Sequence, residues 1–267
     1  MRTIVITGAN TGIGAACAIQ LAAPSDTIVI ACRSEEKAAP VIEAVRAKGA
    51  TASFLALDLS DLAQTAKAAA ILATQLPRID ILVNNAGIGG QRGLTRDGFE
   101  LAFGVNHLGH FAFTRPLLPA IERARGRIVN VSSGNHFKAK ALPFEHLRET
   151  TRSFTGMPEY GVSKLCNVLF TAELRRRYPS ITSVSMNPGR IQSDIWGRRM
   201  HPALLAIFKA VMPMESVDVG GARLVHAATR DDAPLYIDRI SEKDANPLAK
   251  DEALAQELWH FSERMAA

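Results

Sequence analysis

A chain of 267 residues with 47% apolar side chains is long enough to bury a substantial core, and one α/β domain over residues 1–267 is the default organisation. No run approaches the roughly 18 consecutive apolar residues of a membrane span, and Cys17, Cys32 and Cys166 lack any CxxC or Cys/His spacing, so no metal is expected and buried free thiols are. The net charge of +5 is scattered, its tightest cluster being Arg175-Arg176-Arg177 at a predicted helix end, so no nucleic-acid partner is expected.

Short β-branched runs alternate with longer Ala/Leu/Glu/Lys-rich stretches of helical spacing, the pattern of βα units around a parallel sheet. The first predicted strand, near 3–7, starts directly after Met1, which leaves no room for a signal peptide and makes the cytoplasm the expected compartment. It runs into Thr7-Gly8-Ala9-Asn10-Thr11-Gly12-Ile13-Gly14 and a helix near 12–23. Gly8, Gly12 and Gly14 fall where backbone must turn tightly and approach a pyrophosphate at a helix N-terminus, with Asn10, Thr11 and Ile13 between them. The spacing GxxxGxG differs from GxGxxG, and a plain tight turn would also account for it. The second strand, near 27–32, ends in Cys32-Arg33, where an NAD-preferring site places an acid against the ribose 2′-hydroxyl. Arg33 would instead grip a 2′-phosphate bidentately, with Lys37 one turn on adding charge, so NADP(H) is expected in preference to NAD(H). An ordinary surface arginine is the alternative.

A helix near 35–48, a strand near 52–57, a helix near 61–75, a strand near 79–84, a helix near 97–122 and a strand near 127–132 follow. After residues 134–159 a helix is predicted over 160–177, where Tyr160 and Lys164 share one face four residues apart. An unperturbed tyrosine, with a pKa near ~10, is a poor base at neutral pH, and a neighbouring ammonium stabilises its phenolate. The pair reads as a proton-transfer arrangement, although YxxxK alone also describes a surface pair. A strand near 181–187, the irregular stretch 190–215 and a helix over 216–229 complete the pattern, while the absence of glycine from 233–243 leaves a seventh strand open. Residues 134–159 and 190–215 both follow strands, at the sheet edge where ligands bind.

Thr7 to Gly14, Asn84-Asn85-Ala86-Gly87, Asn106, Ser132-Ser133, Tyr160/Lys164 and Pro188-Gly189 occur in the order found in short-chain dehydrogenases/reductases, which the chain resembles over nearly its whole length. Asp97-Gly-Phe-Glu100, Gly104-Val-Asn-His-Leu-Gly-His-Phe111 and Ser163-Lys-Leu-Cys-Asn-Val-Leu-Phe170 resemble the retinol-dehydrogenase and protochlorophyllide-reductase-like branch. The resemblance implies a Rossmann-type doubly wound sheet of about seven parallel strands, order 3-2-1-4-5-6-7, with helices on both faces. It implies that Asn85, Ala86 and Gly87 line the cofactor, that Asp58 and Leu59 contact its adenine end, and that Pro188, Gly189, Ile191 and Ser193 hold the nicotinamide carboxamide. It further implies that Tyr160 is the acid/base, that Lys164 binds the nicotinamide ribose and assists it, that Ser133 orients the substrate oxygen with Ser132 as fallback, and that Asn106 supports a proton relay through water.

Some positions set this chain apart. Residues 134–159 carry His136, Phe137, Phe144 and His146 and are expected to form one wall of the site, the two histidines either touching substrate or serving structure. Asn187 stands where the branch often has histidine. Residues 195–212, with Trp196, Leu204, Leu205, Ile207 and Phe208, fall where the family keeps a substrate lid, which about 190–215 would form over an apolar substrate. A membrane-surface contact or an oligomer interface would have the same composition. The expected activity is NADP(H)-dependent interconversion of a carbonyl and an alcohol on a small molecule, by a homodimer or homotetramer, and the alternative is a catalytically silent NADP(H)-binding regulator.

Overall fold

The computed structural model describes residues 1–192 and 214–266. β1 (Thr3–Thr7) reads TIVIT and β2 (Thr27–Cys32) reads TIVIAC, apolar and β-branched almost throughout because central parallel strands covered by helices have no wet face. β3 (Thr51–Ala56), at the sheet edge, instead alternates exposed and buried positions. β4 (Ile81–Asn84), β5 (Arg127–Val131), β6 (Thr182–Asn187) and β7 (Tyr236–Asp238) extend the sheet on the other side of β1. The order is 3-2-1-4-5-6-7-8, with β1 to β7 parallel and the short β8 (Ser241–Glu242) antiparallel to β7. Winding reverses at β1, so the crevice for a ligand lies at the carboxyl ends of β1 and β4.

Side-chain alternation along β1 builds two core layers. Ile4 and Ile6 pack with α1 (Gly12–Leu21), α2 (Glu35–Arg46) and α6 (Val217–Thr229) through Cys17, Val45 and Leu224. Val5 faces the opposite layer, where α3 (Leu62–Gln75), α4 (101–124) and α5 (Met157–Arg177) contribute Leu72, Phe111, Phe113 and Phe170. A Cβ on Gly221 would stand 2.6 Å from the Ala16 Cβ, so this glycine lets α6 lie directly on α1. α7 (Glu252–Met265) closes the second layer with Trp259. Among the described residues no helix is long and apolar enough to cross a membrane. All three cysteines are buried and free, and burial pushes the Cys17 thiol up to about 12.

Two elements depart from their sequence patterns. The helix expected from residue 97 starts at Leu101, because Gly98 takes φ +77° in a turn and Glu100 accepts the Phe103 N–H as a cap. α4 is then not one uniform helix. Leu101–Phe103 leads into a π turn at Gly104–Leu108, an α segment at Gly109–Thr114, a 3₁₀ turn at Arg115–Leu117 containing Pro116, and a last α segment at Leu118–Ala124. The seventh strand forms without glycine: Arg239, at φ 63°, takes the first position of the two-residue hairpin between Asp238 and Ser241.

Candidate active site

Loops leaving β1 to β6 at their carboxyl ends line one cleft of about 430 Å³. Gly8, Asn10, Thr11, Gly12, Ile13 and Gly14 form its floor at the start of α1. Gly12, at φ +60°, would point a Cβ into open space, so the backbone presents a bare concave surface to the cleft. Thr11 precedes α1 without a side-chain cap, which leaves the first-turn N–H groups without the side-chain partner most helices supply there. Asn85 donates from Nδ2 to the Thr7 and Gly8 carbonyls at 2.8 and 3.4 Å, while its buried Oδ1 has no hydrogen-bond partner. A concave glycine turn and an uncapped helix N-terminus together suit the pyrophosphate of a dinucleotide, whereas the Asn85 oxygen is an acceptor and suits a donor such as a ribose hydroxyl.

The far end of the cleft carries charge. Arg33 is exposed on its rim and has no ion-pair partner among the described residues. Lys37 does not line the cleft; its backbone N–H donates to Ser34 Oγ, the cap of α2. Asp58 and Leu59 line the wall after β3, with the Asp58 carboxylate accepting from the Ser60 N–H and hydroxyl at 3.0 and 2.7 Å. Ala86, Gly87, Pro188, Gly189 and Ile191 line the opposite end, and Ser193 lies outside the described residues.

Tyr160 and Lys164 sit on the first turns of α5 and face this end of the cleft, nearly fully buried. The Tyr160 phenol is hydrogen-bonded to Ser133, which follows β5, and burial raises its pKa against the lowering effect of that bond. Lys164 Nζ donates to the Val131 carbonyl at 2.9 Å and lies 5.7 Å from the centre of the Tyr160 ring. Burial pulls the Lys164 ammonium down to about 7. Ser132, the other serine of the pair, donates to the Lys164 carbonyl at 2.7 Å and so braces α5. Ser133 is therefore the serine whose hydroxyl meets the phenol.

Asn106 does not line the cleft. It is fully buried beneath it, in the π turn of α4, where Oδ1 accepts the Ile88 N–H at 2.8 Å and Nδ2 donates to the Ile88 carbonyl and Ser163 Oγ, both at 2.9 Å. Its side chain thus fixes the 85–88 loop and α5 relative to each other. None of residues 134–159 lines the cleft, contrary to the expected wall. His136 is buried, holding the Ser133 carbonyl through Nδ1 at 2.7 Å and accepting the Asn246 N–H through Nε2 at 3.1 Å, and His146 lies at the surface among Glu145, Glu149 and Arg152. The apolar wall comes instead from Ile88, Leu101 and Val105, on the loop after β4 and on α4. The expected lid residues 195–212 lie outside the described residues.

Residues 2–144 match the family model described as short chain dehydrogenase. Over 280 residues the chain is 35% identical to retinol dehydrogenase 13 of Homo sapiens, covering 99% of this chain and 84% of that protein. The chain belongs to the short-chain dehydrogenases. Within them it falls in the retinol-dehydrogenase-like branch, and its family makes it an oxidoreductase of alcohol and carbonyl groups. This short-chain dehydrogenase also superposes on the crystal structure of an uncharacterized protein from Mycobacterium paratuberculosis, with a TM-score of 0.79, 32% identity, and coverage of 100% of this chain and 93% of the other. A blue fluorescent protein from a metagenomic library, in complex with NADPH, matches with a TM-score of 0.68 and 25% identity over 86% of this chain and 91% of its own.

Proposed function

We propose that this dehydrogenase reduces the carbonyl of an apolar small molecule, or oxidises the corresponding alcohol, with NADP(H) in preference to NAD(H). The observation that carries the proposal is the meeting of Tyr160, Ser133 and Lys164 at one end of a cleft whose other end holds the exposed Arg33. A nicotinamide bound there supplies or accepts the hydride. Tyr160 gives the proton from its phenol to the forming alkoxide, and the Ser133 hydroxyl holds the same oxygen. Burial keeps the phenol protonated, the form that reduction needs. In oxidation the phenolate takes the alcohol proton, and the Lys164 charge beside the ring favours that anion. Arg33 would fork onto a 2′-phosphate, since no carboxylate stands at the end of β2 to repel one. Ile88, Leu101 and Val105 give the substrate end an apolar face.

The test is the loss of NADPH and NADH absorbance with purified protein over a panel of aldehydes and ketones from small to long and apolar. Turnover with NADPH, weak with NADH, and a fall of about 10² to 10⁴-fold in Tyr160→Phe with cofactor binding retained, is the expected result. Full activity in Tyr160→Phe would refute the acid/base assignment, and tight NADPH binding without turnover on any carbonyl would favour the silent regulator.

A further inference from the structure

A buried histidine outside the proton-transfer set is hydrogen-bonded through both ring nitrogens, and its partners lie behind the cleft and hold the 85–88 loop that lines it. His110, on the α segment that follows the π turn, is 2% exposed. Its Nδ1 stands 2.9 Å from the main-chain carbonyl of Asn106, and its Nε2 stands 2.9 Å from Thr7 Oγ1. A carbonyl only accepts, so Nδ1 carries the proton, and in a neutral ring Nε2 is then an acceptor. Thr7 Oγ1 already accepts from the Asn85 and Ala86 N–H groups at 2.9 and 3.0 Å, and its own proton has two acceptors in reach, the Val83 carbonyl at 3.4 Å and Nε2 at 2.9 Å, of which Nε2 is the nearer. The donors therefore run in one direction: Asn85 and Ala86 N–H to Thr7, Thr7 to His110, His110 to the Asn106 carbonyl.

We infer that His110 is a positioning residue which, as the Nδ1–H tautomer, holds the backbone of Asn106 in the π turn and locks that turn, through Thr7, to the 85–88 loop lining the cleft. Asn106 is then held from both sides, its side chain clasping Ile88 and its carbonyl clasped by His110. The imidazole must stay neutral for the chain to keep its direction. Burial, aided by the Lys164 charge, pulls its pKa to about 4 against the opposing bond to Asn106. A carbonyl has two lone pairs, and His110 occupies one, so it also fixes the direction in which the other is presented. The inference rests on the proposed function only in that Tyr160 and Lys164, whose helix Asn106 braces through Ser163, perform the proton transfer that a turnover measurement reads.

The experiment has two arms. The first records ¹⁵N-edited spectra of the histidine rings in the wild-type chain, with His110 assigned through its backbone. A protonated Nδ1 and bare Nε2, unchanged from pH 8 to pH 5, are expected. An Nε2–H tautomer, or titration in that range, overturns the inference whether or not the protein turns over any substrate. The second compares His110→Leu, which fills the space without a hydrogen bond, with His110→Asn, whose amide can restore the donor to the carbonyl. In an active wild type, removing the side-chain donor to this buried carbonyl should cost about tenfold in kcat with the KM for NADPH changed much less, and His110→Asn should recover most of it. A folded His110→Leu with unchanged kcat refutes the positioning role. If His110→Leu does not fold, the tautomer alone decides. A wild type inactive on every carbonyl counts against the proposed function, not against His110, whose tautomer is still read.

Discussion

Arg33 and Lys164 are single cations whose surroundings assign them opposite tasks. Arg33 is exposed on the rim after β2, without an ion-pair partner among the described residues, so its charge is available to a ligand and costs nothing to solvate. A charge-assisted bidentate contact to phosphate is worth about 1.5 to 3 kcal/mol, so Arg33→Ser should weaken NADPH binding by roughly 10- to 100-fold and leave NADH nearly unchanged. Equal losses for both cofactors, read by fluorescence titration, would contradict the phosphate assignment. Lys164 is buried, and its pKa of about 7 lies below the ~10.4 of the unfolded chain. Between those values the unfolded chain binds the extra proton, so stability rises with pH across that window, and the cost of the buried ammonium is fully present at and below pH 7. Lys164→Met should therefore raise the melting temperature of the cofactor-free protein at pH 6, with the gain fading toward pH 10. A gain that grows with pH would show the charge to be stabilised rather than penalised.

At the scale of elements, an ion pair joins α6 to the described part of the loop after β6. Arg223 on α6 donates to the Pro188 carbonyl at 2.8 Å and makes a forked contact with Glu215 at 2.6 and 2.7 Å. Glu215 in turn exchanges backbone hydrogen bonds with Arg190 and Gln192 at 2.8 and 2.9 Å. The Pro188–Gly189 turn is thus gripped through its carbonyl, and Arg223→Ala should raise the KM for the cofactor more than it lowers kcat. The hydrogen bonds from Arg223 hold the Glu215 carboxyl below its usual range, so the grip is complete above that range and is lost as pH falls through the lowered value. A rise in KM of wild type toward acid, absent in Arg223→Ala, is the expected profile. The sequence revealed such elements unequally. β1 and β2 were legible to within a residue because buried parallel strands need nearly unbroken β-branched runs. The π turn was not, because residue preferences do not distinguish i+4 from i+5 bonding, and the hairpin at Arg239 was not, because an arginine there carries no turn signal. Tyr160, Ser133 and the glycine loop were singled out through ordered motifs. His136 was undecided because its partner, Asn246, lies 110 residues away, a separation that no local pattern records.

Across the whole molecule, the layer opposite α1 and α6 is finished only by the C-terminal α7, whose Trp259 is 3% exposed. Its ring meets Phe111 edge-on at 5.0 Å and Phe170 at 5.9 Å, and the Arg177 guanidinium lies over it at 4.7 Å. α4, α5 and α7 therefore share one aromatic cluster, and this cluster supports the helices that carry Asn106, Tyr160 and Lys164 without contributing a residue to the cleft lining. Trp259→Ala removes the largest side chain of that contact and should cost about 3 to 5 kcal/mol. For a chain of this size each kcal/mol corresponds to roughly 2 to 4 °C, so the melting temperature should fall by about 10 °C. NADPH affinity at low temperature should be unchanged, because α1, Arg33 and the Pro188 turn pack in the other layer or at its edge. Calorimetry beside cofactor titration separates the two effects. A large stability loss with intact binding places α7 purely in the support of the fold, whereas a parallel loss of affinity in the folded protein would mean that strain in this cluster reaches the cleft through α5.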